Sequence, residues 1–243
     1  WGIANVLAAH GANVTLNGFG DAAEIKKIQD TMQQTHNVKV RYSGADMTKP
    51  DQIRQMVAEA KRDFGSVDIL VNNAGIQHIS SVEQFPEEKW DQVMRINLDA
   101  AFHATKAVIP DMKEAGFGRI INVASVHGLV ASVNKSAYVA SKHAIVGFTK
   151  ATALELAGTG ITVNSINPGW VQTPLVMKQV ELRAQQRNMT IPDATHSLLT
   201  EKQPSGEFVQ VEDLGNLAAF LCSPYASQLT GQSNVLDGAW TSQ

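Results

Sequence analysis

One cysteine, Cys222, stands in 243 residues, which excludes an intrachain disulfide and any cysteine-rich metal centre. A lone thiol suits a reducing compartment, so a cytoplasmic location is expected. There is no surplus of positive charge either. Lys and Arg number 20 against 23 Asp and Glu, a formal net charge of −3 with both signs scattered. No basic surface for nucleic acid or anionic lipid is therefore expected. No uninterrupted apolar run approaches the ~18 residues that a membrane span requires. His10, His36, His78, His103, His143 and His196 lie in no ligand pattern with carboxylates or cysteine, so no metal is expected. No internal repeat or low-complexity linker divides the chain.

What is present is a globular composition, 44% apolar and 18% charged, on a chain long enough for one large α/β domain. Trp1–His10 reads as a helix in progress, with neither an initiator methionine nor an N-cap, so the sequence is expected to begin inside an element. Strands are expected at 13–17, 38–42, 67–72, 119–124, 161–166 and 233–236, alternating with helices. Among the helices, 22–36 is capped by Asp21, 50–64 runs between Pro50 and Gly65, and a long one covers about 86–114. Another follows the fourth strand and continues to about 157, and the last covers 212–221. This alternation predicts a single doubly wound parallel sheet of Rossmann type over residues 1–243. Residues 174–206 break the rhythm. Their loose helical pattern of Gln, Glu, Lys, Met and Thr suggests a lid over the carboxyl edge of the sheet, where ligands of such sheets bind.

That edge collects the residues with chemistry. Ser125 stands where a buried strand ends. Tyr138 and Lys142 are four apart, so on a helix they share a face. A hydroxyl, a phenol and an ammonium converging there make a proton-transfer set. A phenol has an unperturbed pKa near ~10 and needs a neighbouring cation to act as a base near neutrality. Asn72-Asn73-Ala74-Gly75 follows the third strand, and glycine there lets a ligand approach the backbone. After the first of the strands, Asn17-Gly18-Phe19-Gly20-Asp21 offers no cation before Lys26 that would meet a phosphate there.

The order N-N-A-G, Asn97, Ser125, Tyr138-x-x-x-Lys142 and Pro168-Gly169 resembles the short-chain dehydrogenase/reductase family over essentially the whole chain. The resemblance implies an NAD-dependent oxidoreductase in which Asn97, Ser125, Tyr138 and Lys142 are catalytic, Asn97 holding a water that continues a proton relay through Lys142. An asparagine in a helix can also simply bond backbone. Asn73, Ala74, Gly75, Tyr138, Lys142, Pro168, Gly169, Val171 and Thr173 would line the nicotinamide side of the cofactor site, and Phe19, Asp46 and Met47 its adenosine side. Asp46 reads equally well as a helix cap. The family's glycine-rich turn and first strand do not occur in these residues, where only Gly2-Ile3 lies near the expected end of that turn.

A narrower likeness lies in Asn72–His78, Ser125–Lys135, Pro168-Gly169-Trp170 and Glu201-Lys202-Gln203-Pro204. These resemble the D-3-hydroxybutyrate dehydrogenases of the family. The likeness implies a small carboxylate substrate gripped by Gln77, His127, Lys135 and Gln179, with Trp170 and Trp240 as apolar walls, in a homotetramer. Taken singly, Lys135 could be an exposed loop lysine and His127 or either tryptophan a packing residue. Another short-chain reductase, for 3-oxoacyl thioesters or polyols, and a non-catalytic nucleotide-binding scaffold are the alternatives.

Overall fold

The computed structural model describes residues 1–242, as two parallel ladders with helices packed around them. In the first, β1 (Val14–Asn17) pairs with β2 (Val40–Ser43). The second runs β3 (Ile69–Asn72), β4 (Gly118–Val123), β5 (Ile161–Pro168) and β6 (Ser233–Leu236) in that order. The helices are α1 (Gly2–Ala9), α2 (Ala22–His36), α3 (Pro50–Phe64), α4 (Glu87–Met94), α5 (Ala100–Ala115), α6 (Ser136–Glu155), α7 (Pro174–Arg187), α8 (Ile191–Thr200) and α9 (Val211–Cys222).

Local chemistry sets these boundaries. Asp21 accepts from the amides of Ala23 and Glu24 to start α2, and Asn37 ends it in a left-handed conformation. Pro50 opens α3, and Gly65 closes it at φ 92°, a backbone angle only glycine adopts readily. On β4, Ile120 faces a cluster with Val108, Met112, Leu156 and Val163. Its neighbour Ile121 faces the opposite one, with Ile166, Leu214, Ala218 and Leu221. That two-sided burial is what a doubly wound sheet demands of a central strand. Truncating either isoleucine to alanine should cost about 2–5 kcal/mol.

Two expectations need revision, while the expected parallel sheet with flanking helices is there. The helix expected over about 86–114 is interrupted by a π-helical turn, Arg95–Asp99, between α4 and α5. The third strand, read as buried on both faces, is paired only with β4, and its four residues are half-buried. Among the described residues no strand pairs with its other edge, so the parallel sheet runs as two ladders. Residues 174–206 are ordered as the helical hairpin α7–α8, closed by Arg183, which donates to the Ser197 carbonyl and pairs with Glu201 at 2.7 Å. Val176, Val180, Ala184, Ala194 and Leu198 form its own small core against Trp170 and Phe208.

Candidate active site

The carboxyl ends of β4 and β5 and the first turns of α6 build the site. Ser125 follows β4, and its Oγ accepts from the His127 amide at 3.1 Å, starting the 3-10 turn Val126–Gly128. Its carbonyl is held by the Asn167 side chain, from the fully buried β5, at 3.0 Å. Gly128 packs so closely on the Lys142 carbonyl that a Cβ would collide with it. That contact brings α6 against the turn, and Tyr138 and Lys142 with it.

Tyr138 is half-buried. Burial raises its pKa, and a hydrogen bond with Ser125 pulls the other way, so the resting side chain is the neutral phenol. Lys142 is 4% exposed, its Nζ donates to the Val123 carbonyl at 2.8 Å and lies 5.6 Å from the centre of the Tyr138 ring. Burial pushes its pKa down to about 8. The structure therefore places the cation beside the phenol, as the i, i+4 spacing implies, but anchors it on a backbone carbonyl.

Asn97 sits in the π-helical turn, 3% exposed. Its Oδ1 accepts from the Ile76 amide at 2.8 Å, and its Nδ2 donates to the Ile76 carbonyl and Ser141 Oγ, each at 3.0 Å. The whole amide is thus engaged in fixing the loop after β3 to α6. The extra residue of a π turn, a feature that marks many functional sites, is compatible with that inward placement.

Above this trio stands a wall of rings. His127 meets Tyr138 edge-on at 5.8 Å and Trp240 at 5.6 Å, and Trp240 tilts against Trp170 at 5.8 Å. Lys135 Nζ stands 5.7 Å from the Trp170 ring centre. Lys135 is half-buried, takes part in no ion pair among the described residues, and has its pKa lowered by burial. A bridge between Ser80 and Lys135 draws the loop carrying Gln77 to the same rim. Gln179 is half-buried on α7. His127 is in this wall, yet both its ring nitrogens face serines, Ser125 at 3.4 Å and Ser132 at 2.8 Å. Burial, reinforced by the charge of Lys135, holds its pKa down to about 4. The ring is neutral at physiological pH, so the positive charge on this side belongs to Lys135.

Gln203 has a part that the sequence did not suggest. At 1% exposure, its Oε1 accepts from the Trp170 amide at 2.9 Å and its Nε2 donates to the Glu207 carbonyl. Gly169 and Gly238 leave room for it, since a Cβ at either would run into the Gln203 side chain. One buried amide thus ties the Trp170 segment to Glu207 and packs against Gly238, two residues before Trp240. Its only signal in the sequence was the run Glu201–Pro204.

On the cofactor side, Asn73, Ala74 and Gly75 are exposed at the end of β3. A Cβ at Gly75 would come 3.5 Å from Lys142 Nζ and 3.6 Å from Asn97 Oδ1. Glycine therefore leaves an open approach directly over the buried cation. Phe19 projects with 77% exposure from the loop after β1. Asp46 accepts from the Thr48 amide and hydroxyl, each at 2.8 Å, which holds its pKa low. It acts as a turn cap before α3, with Met47 half-buried beside it. Pro168 ends β5, Gly169 donates to the Leu236 carbonyl, Val171 bridges Val209, and the Thr173 hydroxyl caps α7. An exposed glycine edge, a buried cation and a neutral phenol fit a nicotinamide ring and its ribose.

A family model described as enoyl-(acyl carrier protein) reductase matches residues 1–241. The D-beta-hydroxybutyrate dehydrogenase of Cupriavidus necator is 55% identical over 242 residues, 100% of this chain and 93% of that protein. The protein of the same name from Rhizobium meliloti is 48% identical, over 99% of this chain and 93% of its own. This chain belongs to the short-chain dehydrogenase/reductase family. A crystal structure of the L-sorbose reductase of Gluconobacter frateurii, complexed with NADPH and L-sorbose, superimposes with a TM-score of 0.92 at 28% identity, covering 98% of this chain and 90% of that one. As a member of the family the protein is an oxidoreductase that uses a nicotinamide cofactor on a small substrate. No helix among the described residues is long and apolar enough to cross a membrane.

Proposed function

We propose that this protein interconverts D-3-hydroxybutyrate and acetoacetate with NAD. The observation that carries the substrate is Lys135, a half-buried ammonium without a carboxylate partner among the described residues, set over Trp170 on the same wall as Tyr138. A small carboxylate supplies the missing countercharge, with Gln77 and Gln179 as further donors as the lid closes. A neutral polyol would leave that charge unmatched. Trp170 and Trp240 close the space beyond and favour a short chain. The two full-length relatives bear a name for this activity.

Asn73, Ala74 and Gly75 would hold the nicotinamide, which in its oxidised form would supply the acceptor for the hydride of the alcohol carbon. Tyr138 takes the hydroxyl proton in oxidation and returns it to the ketone oxygen in reduction. The resting phenol is already protonated for the latter. Ser125 donates to the same oxygen, and Lys142 supplies the nearby cation that favours the phenolate. Asn97 holds the Ile76 loop in register with α6, and by the resemblance it would hold a water that continues a proton relay through Lys142. Pro168, Gly169, Val171 and Thr173 would border the nicotinamide amide, and Phe19, Asp46 and Met47 the adenosine. NAD rather than NADP is supported by the loop Gly18–Asp21. The Asp21 carboxylate caps α2, and the first cation beyond, Lys26, pairs with Asp30.

The reading extends to a cytoplasmic homotetramer. Cys222 is a free thiol, which suits a reducing compartment. Ala140, Ala144 and Gly147 leave the outer side of α6 shallow enough for close helix pairing, whereas Ala137 is buried in its own chain. The test is NAD reduction by D- and L-3-hydroxybutyrate, with NADP in parallel. Turnover with the D-acid and NAD is expected. Failure with this acid and its close homologues would overturn the reading.

A further inference from the structure

Asp237 follows β6 and is 8% exposed, a buried carboxylate to which the reaction above gives no role. Its Oδ1 accepts from the Ala239 amide at 3.0 Å. Its Oδ2 accepts from the Thr241 amide at 2.8 Å and from the Thr241 hydroxyl at 2.7 Å. One carboxylate thus grips both flanks of Trp240, and bonds to a charged acceptor are the strong ones.

The chain turns sharply here. The Trp240 amide donates to the Asp237 carbonyl at 3.1 Å, and the two residues between, Gly238 and Ala239, stand at φ 53° and 72°. That is the pattern of a type I′ turn, which wants glycine, asparagine or aspartate at both places. Glycine meets the demand at 238. Alanine does not meet it at 239, where the Cβ disfavours the left-handed region by about ten-fold. The other non-glycine positions at positive φ among the described residues are Asn37, Asn134 and Asn188, a residue type that tolerates it. An alanine keeps such an angle only where its surroundings over-determine it. Here the Ser205 amide holds the Gly238 carbonyl at 3.1 Å, and Asp237 holds the residues on either side of the tryptophan.

The angle at Ala239 sets the heading of the chain into Trp240. That ring, 7% exposed, stands edge-on to His127 at 5.6 Å and tilted on Trp170 at 5.8 Å. Relaxing residue 239 to negative φ would swing the next peptide and carry the indole off both partners.

We propose that Asp237 is a positioning residue for substrate length: its carboxylate holds Ala239 in the left-handed region and so keeps the Trp240 ring where it closes the space beyond a short acid. This rests on the reading of Trp240 as a wall of the acid site given above. Asp237 acts through Trp240, and the carboxylate grip of the other residues is unaffected by it.

The test reads the placement of Trp240 apart from turnover. Asp237→Asn keeps the size but turns one oxygen into a donor that faces other donors. In the full-length protein, the near-ultraviolet circular dichroism of the Trp170–Trp240 pair, identified by its loss in Trp240→Phe, should shrink in Asp237→Asn. kcat/KM for D-3-hydroxyhexanoate relative to D-3-hydroxybutyrate should rise about ten-fold, the scale on which an apolar pocket discriminates chain length. The change should lie mostly in a higher KM for the shorter acid, with its kcat little altered. Adding Ala239→Gly to Asp237→Asn should return both readings, because glycine adopts the left-handed angle without strain. A loss of general stability would not be rescued in that way. Thr241→Val removes one of the three bonds and should move both readings in the same direction by about two-fold. It decides the matter if Asp237→Asn does not fold. An unchanged pair signal or an unchanged ratio in these variants, or no return with Ala239→Gly, overturns the proposal. Failure of the unaltered protein to oxidise any 3-hydroxy acid would instead overturn the proposed function, and the pair signal would still report where Trp240 stands.

Discussion

Lys142 Nζ lies 5.6 Å from the centre of the Tyr138 ring and is anchored on the Val123 carbonyl at 2.8 Å. The cation beside the phenol is thus held by the backbone at the end of β4, and among the described residues no carboxylate pairs with it. A buried ammonium without a counter-ion is unfavourable for the fold. In return, its whole charge is available to the site. The loss of hydration that lowers the lysine pKa to about 8 also raises that of Tyr138, since in both it disfavours the charged form.

Replacing Lys142 by methionine should therefore separate stability from activity. A pKa lowered from 10.5 to about 8 corresponds to a cost of about 3 kcal/mol at neutral pH. The unpaired Val123 carbonyl returns part of it, about 1–3 kcal/mol. Lys142→Met is expected to melt no lower than the original protein at pH 7, and up to about 2 kcal/mol more stable, while losing turnover. Between pH 8 and 10.5 the unfolded chain binds more protons at this group than the native one does. The original protein thus gains stability as pH rises through that window, and the difference between the two should shrink. Thermal melts from pH 7 to 10 check both the sign and the window.

Lys135→Met should raise KM for 3-hydroxybutyrate by about 10- to 100-fold, the loss of one charge-assisted contact, with a smaller effect on kcat. Initial-rate kinetics on the acid and on its neutral methyl ester check this. The ester should be used about equally well by both proteins. An unchanged KM for the acid would show that the carboxylate is held elsewhere.

Gln203→Leu removes the partner of the Trp170 amide and of the Glu207 carbonyl while keeping the volume. The amide of half-buried Trp170 and the carbonyl of exposed Glu207 lose their partner, and water reaches the second, so a loss of about 1–3 kcal/mol in unfolding free energy is expected. Because the tryptophan walls then loosen, longer 3-hydroxy acids should gain relative to hydroxybutyrate. Denaturant melts and a chain-length series of substrates measure the two effects.

The parts of this molecule that were legible in the sequence are those set by local signals. Pro50 and Gly65 bracket α3 because one lacks an amide hydrogen and the other tolerates positive φ. Residues 233–236 form a strand as their pattern implies. The i, i+4 spacing of Tyr138 and Lys142 put both on one helix beside Ser125. What was hidden depends on partners distant in the chain. The π turn at Arg95–Asp99 leaves an apolar pattern like that of an ordinary helix, so nothing local announces it. Whether Asp46 bonds a ribose or caps a turn is undecidable from residue type, since both uses need the same oxygen. His127 and Gln203 show the same limit: which polar atoms each one faces is settled by tertiary contacts with Ser132, Trp170 and Glu207.

The central claim is that Tyr138 moves the proton while NAD accepts hydride from D-3-hydroxybutyrate. It is tested most directly by the steady-state rate of NAD reduction by that acid in the original protein and in Tyr138→Phe. Loss of a general base should lower kcat by about 10²- to 10⁴-fold, with the melting temperature preserved and the D-acid still bound. A Tyr138→Phe protein that keeps more than about a tenth of the rate would contradict the account.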